Sequence, residues 1–156
     1  MPAVKKILVI VSLLFYVVAC CIYAYNDKAA EGGMLGILCL ALGWLSFTSS
    51  FAAFVAWMAN FPYFINVIMV LTSKRTSLRV VSTMLAVITL FLSFGAFAVT
   101  EVMKDEGGTM QAVSFGPGLF VWLVSIIVML IAAILPAEKK RVEVEYINNP
   151  NPYKTS

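Results

Sequence analysis

Four long apolar runs separated by short polar stretches set the pattern of this chain. Residues 7–25 (ILVIVSLLFYVVACCIYAY) carry no charge and match the roughly 20 residues that cross a bilayer as a helix. Lys5 and Lys6 precede the run and Asp27 follows it. A basic start before an apolar core also resembles a signal peptide, and VVAC at 17–20 resembles a lipobox. Because apolar character continues through Cys21, Ile22 and Tyr23, a retained first helix is the expectation.

The second run covers 34–59, and NFP at 60–62 follows it. Pro62 lacks an amide donor and pushes Phe61 away from helical geometry, so a break is predicted there. Yet YFINVIMVLT at 63–72 stays apolar. One helix over 34–72 would be about 58 Å long, far beyond a core of about 30 Å. Residues 63–72 alone are too short to cross. They are predicted to form a short interfacial or re-entrant helix after the second span, entered through Trp57, Phe61, Tyr63 and Phe64 at headgroup level. The third run is 80–99. The fourth, 118–135, is opened by GPG and closed by Pro136. The expected fold class is therefore all-α: a four-helix transmembrane bundle in one membrane domain (1–136), with a polar tail over 137–156. In that tail RVEVEY alternates like a strand and NNPNPY reads as a turn.

Charge orients the bundle. Lys5 and Lys6, then Lys74, Arg75 and Arg79, then Lys139, Lys140 and Arg141 make three basic clusters. Four crossings put all three on one side, which the positive-inside rule makes cytoplasmic, together with both termini and the tail. The loops 26–33 and 100–117 carry Asp27, Glu31, Glu101, Asp105 and Glu106 and face outward. Each contains a Glu-Gly-Gly phrase, KAAEGGML at 28–35 and KDEGGTMQ at 104–111, at a register of 75. The same register aligns Gly43 with Gly118 and Ser50 with Ser125. A 2+2 repeat of helix pairs is one reading; turn chemistry shared by two loops is the other. Under the repeat, Glu31 and Glu106 become an outward contact pair for a cation or partner, against the plainer reading of solvated carboxylates.

No Asp, Glu, Lys or Arg lies inside the four predicted spans. Such charges usually mark ion or proton pathways, so a proton-coupled pump within one subunit is disfavoured. The second span instead carries small residues at heptad spacing: Gly36, Gly43, Ser46, Ser50 and Ala53, with Cys39 in the same seam and Trp57 and Asn60 closing it. Helices in lipid associate through close-packed small residues and hydroxyl hydrogen bonds, so this seam is the expected helix-packing or partner face. SFTSS at 46–50 also admits a solute lining, against intramolecular packing as the plainer reading. Ser114, Gly118, Ser125 and Ala132 make a weaker seam on the fourth span, and Ser93 and Gly95 one on the third.

Composition sharpens this picture. The chain has 156 residues, 62% hydrophobic and 12% charged, with a mean hydropathy of +0.94; a soluble domain is about 25% charged. A soluble chain this short could not bury so much apolar surface. The net charge of +3 sits beside apolar runs and gives no nucleic-acid signal. Histidine is absent, which removes the commonest base and metal ligand. Cys20, Cys21 and Cys39 have no metal-ligand spacing and read as plain thiols. No catalytic constellation, metal site or cofactor motif is found. The expectation is a small non-enzymatic membrane protein in a bacterial inner membrane. It would act by helix–helix contact with another membrane protein, as an accessory, assembly or immunity-type subunit. The alternative is a subunit of an oligomeric transporter or channel for a small solute.

Overall fold

The computed structural model describes residues 3–28, 32–72, 77–103 and 109–135. Glu31, Glu106, Lys74, Arg75, Pro136 and the tail 137–156 lie outside them, as do the contact and strand readings placed there. Among the described residues four helices are long and apolar enough to cross a membrane: Ala3–Cys21, Phe51–Thr72, Leu78–Ala98 and Pro117–Ile134. They suggest a multi-pass membrane protein.

Helix α1 (Ala3–Cys21) buries Val9, Ser12, Tyr16 and Ala19 at alternating spacings of three and four, the period of a helix seam. Residues 23–25, expected to finish the first span, instead belong to strand β1 (Tyr23–Asp27). Strand β2 (Gly33–Leu35) returns antiparallel to it and leads into α2 (Gly36–Leu42), which tightens into a 3-10 turn over Gly43–Thr48.

The second span differs most from expectation. It begins at Phe51 and runs as α3 (Phe51–Met58) and α4 (Asn60–Thr72). The predicted span 34–59 and the short helix after it are thus replaced by a short apolar helix before the span, Gly36–Thr48, and a single crossing-length helix, 51–72. The break lies at Ser50, which is extended (φ −150°, ψ 105°); its Oγ accepts from the Ala53 amide at 3.3 Å. Serine at an N-cap satisfies a helix-start amide that would otherwise be orphaned. Pro62 does not stop the helix because it falls within the first turn of α4, where an amide has no intrahelical partner to lose. The Tyr63 amide resumes the ladder to Ala59 O at 3.2 Å, and Asn60 Nδ2 donates to Trp57 O at 2.8 Å across the junction.

Helix α5 (Ser77–Ser93) continues as a 3-10 turn through Ala98. Its buried face is Ser82, Ala86, Thr89 and Ser93, small residues throughout. Strands β3 (Glu101–Met103) and β4 (Met110–Phe115) precede α6 (Pro117–Ile134), which buries Gly118, Ser125 and Ala132, the seam expected there; Ser114 is exposed on β4. In the bundle α1 lies against α6, α6 against α5, and α5 against α4.

The strands form one antiparallel sheet of order β2-β1-β4-β3, unforeseen by the all-α expectation. Its central pairing, Tyr25 with Phe115 and Asp27 with Val113, joins the two loops predicted to share a side. A repeat at a register of 75 would align α2 with β4 and make β1 equivalent to β3. The described residues show no repeat at that register, and the two Glu-Gly-Gly phrases fall partly outside them. Lys5, buried in the first turns of α1, and Arg79, whose guanidinium donates to Ile134 O, lie at the end opposite the sheet.

Candidate functional site

Beneath the sheet α1 and the second span diverge, and the segment 36–48 lies across the gap. A cavity of about 460 Å³ results, in the roughly 300–1,000 Å³ range of small-ligand pockets. Gly36, Gly43, Ser46, Ser50 and Ala53 all line it. The predicted face is thus assembled, but along the wall of an internal space.

Two of these residues are small because the fold needs them to be. A Cβ on Gly36 would meet the backbone carbonyl of Ala19 in α1, and one on Gly43 would meet the Trp57 ring. Gly36 lets α2 lie directly on the end of α1; its amide also donates to Ile22 O at 3.0 Å. At the far wall Gly95 allows α3 to approach, with Ala52 O only 2.8 Å from where a Cβ would stand. The intramolecular packing reading accounts for these contacts. Ser46, Ser50 and Ala53 leave the remaining space.

Tyr16, Trp57 and Asn60 form the floor. Tyr16 Oη donates to Asn60 Oδ1 at 2.7 Å, and Trp57 Nε1 donates to Leu40 O at 2.8 Å, pinning the short helix to the second span. Toward the sheet, Tyr25 Oη donates to Ala96 O at 2.9 Å. Ser46 Oγ donates to Gly43 O within its own turn. The lining's polar side chains are largely engaged in holding the walls, and the surface left facing the space is mainly apolar. Exposed Glu101 is its one charged residue among the described residues. Burial pushes the Cys39 thiol up to about 12 and the Tyr25 hydroxyl above its usual range. Cys39 is therefore a neutral small hydrophobe rather than a nucleophile. No group of three potential metal-ligating side chains occurs among the described residues.

Below the floor lies a buried polar ladder that the sequence reading largely missed. Ser12 Oγ donates to Ser125 O at 2.7 Å, and the hydroxyls of Ser12 and Tyr63 are 2.8 Å apart. With the serine proton engaged, Tyr63 is the donor of that pair. Tyr63 stacks on Tyr16 with centroids 4.9 Å apart. Further down, Ser82 donates to Asn66 Oδ1, while the fully buried Asn66 Nδ2 has no partner. Asn66 lies in the segment expected to form an interfacial helix, where an amide side chain gives no signal of burial. Compared with protein families, with curated proteins and with solved structures, the chain matches none.

Proposed function

We propose that the chain is a non-enzymatic integral membrane protein that acts by contact with another membrane protein, as an accessory, assembly or immunity-type subunit. The contact face is the outer flank of residues 36–54. The carrying observation is that Gly36–Thr48 is apolar, too short to span, and has no buried residue. Its free flank presents Trp44 and Phe47, continued by Phe51, which is 70% exposed. Apolar exposure alone is neutral in lipid. Aromatic side chains, however, are enriched at protein interfaces, and Phe47 and Phe54 extend an edge-to-face array along this flank. The engagement of the cavity's polar groups in wall contacts supports a non-enzymatic role.

In this reading the sheet faces outward, both termini lie in the cytoplasm, and the membrane is a bacterial inner membrane. Lys5 and Arg79 at the opposite end support that orientation. The test is purification from native membrane in mild detergent, for the wild type and for Phe47→Ala with Phe51→Ala. A distinct membrane protein retained by the wild type and lost from the variant supports the proposal; identical retention defeats it. Cysteines introduced at Ala30 and Gly107 should react with an impermeant reagent added outside intact cells. Protection of both would reverse the orientation.

A second reading, a subunit of an oligomeric transporter or channel, is favoured by one observation. The unpartnered Asn66 amide is a polar group within the helix bundle that has yet to find its acceptor. A stable homo-oligomer with a hydrated axis in the same purification would support it.

A further inference from the structure

We propose that the cavity beneath the sheet is a binding site for one acyl chain of a membrane lipid, with residues 36–48 as its outer wall. The inference rests on the bilayer placement but not on the protein partner.

Position, surface chemistry and size converge. The space lies between the sheet and the Tyr16–Asn60 hydrogen bond, alongside apolar segments of all four crossing-length helices described. That is the depth of lipid chains on the sheet side. A water molecule needs two to four polar partners to reside in a cavity. Here the Tyr16, Tyr25, Trp57 and Ser46 donors already face protein acceptors, so water gains little. An unfilled apolar space leaves its lining without dispersion contacts on one side, and dry apolar cavities take up apolar molecules. In a bilayer the abundant flexible apolar molecule is the lipid chain. The wall suits its entry: it is a short helix with no buried residue, attached to the second span at the Trp57–Leu40 bond. Exposed Glu101 and Ser49 line the same space and supply a polar edge where a headgroup would remain.

The experiment uses the full chain, purified in a maltoside detergent. One arm receives palmitic acid carrying a mid-chain diazirine; the other receives phosphatidylcholine with the same labelled tail. After irradiation, cross-linked peptides are mapped. The expected result is labelling concentrated on residues 39–57 and 118–122 that falls about tenfold under excess unlabelled lipid. Label on the lipid-facing surface at Phe91, 71% exposed, should not compete away. Ala53→Phe, which projects a ring into the cavity, should reduce cavity labelling to a similar degree while leaving Phe91 labelling unchanged. If that variant misfolds, the competition arm still decides on the wild type. Labelling by either reagent supports the site, and the stronger arm assigns phospholipid or free fatty acid as source. Uniform, non-saturating labelling of all apolar surfaces overturns the inference but leaves the partner proposal standing. A chain recovered from cells without detergent overturns both.

Discussion

Replacing Asn66 with leucine is expected to leave the bundle as stable as the wild type or more so, although it deletes a buried interhelical hydrogen bond. Asn66 is fully buried on α4 and its carbonyl oxygen accepts from Ser82 on α5, but its amide nitrogen has no partner. Turning the amide over only exchanges which end is unpaired. The bond to Ser82 is worth about 0.6–1.7 kcal/mol inside a membrane, while an unsatisfied buried donor costs about 1–3 kcal/mol. Leucine has a similar size and removes both. The released Ser82 hydroxyl can turn to a carbonyl of its own helix, as Thr89 does to Leu85 O at 2.7 Å. The balance runs from about 0.7 kcal/mol of destabilisation to about 2.4 kcal/mol of stabilisation, centred on about 1 kcal/mol of stabilisation. Ser82→Ala should do the opposite, because it leaves both ends of the Asn66 amide unpaired, and should cost about 1–3 kcal/mol. The assay is reversible unfolding in mixed micelles of maltoside and dodecyl sulfate, followed by helix circular dichroism. Asn66→Leu unfolding at a lower dodecyl sulfate fraction than Ser82→Ala would refute the reasoning. It would mean that the amide is satisfied in the working protein, by water or by a second subunit.

Three further outcomes are expected. Gly36→Leu should prevent accumulation of folded protein, since the side chain meets the Ala19 carbonyl; recovery of the variant at wild-type yield and midpoint would contradict that packing. Ser50→Ala should lower stability by about 1 kcal/mol through loss of the N-cap to Ala53, read as a midpoint shift in the same unfolding assay. In a Cys20→Ser, Cys21→Ser background, alkylation of Cys39 at pH 8 should be about a thousandfold slower than that of an ordinary thiol near 8.5. Because the folded thiol is raised to about 12, its rate should climb with pH up to that value, and a plateau near pH 9 would rule the raised value out.

Three of the four apolar runs became crossing-length helices close to their expected places, because length and hydropathy are local properties of the sequence. The small residues of the seams have definite places: Gly118, Ser125 and Ala132 are buried, and Gly36, Gly43, Ser46, Ser50 and Ala53 line one cavity. The second span was misplaced because Pro62 was read as a stop and Ser50 as packing material. Proline is harmless in a first turn, and serine is a strong helix start; SFTSS carried the signal. The sheet was not legible. Its central pairing joins Tyr25 with Phe115, and a pairing between distant segments leaves no periodic trace in either.

That pairing also has a temporal consequence. β1 leaves the ribosome directly after the first helix, but β4 follows only after the third. The β1–β4 edge can therefore form only after the two intervening crossing-length helices have been made. Gly116 donates its amide to Ala24 O at 2.8 Å immediately before α6 begins. Helix α6 is therefore tethered at its start to the strand that follows α1, and the strand ladder holds these two helix ends together.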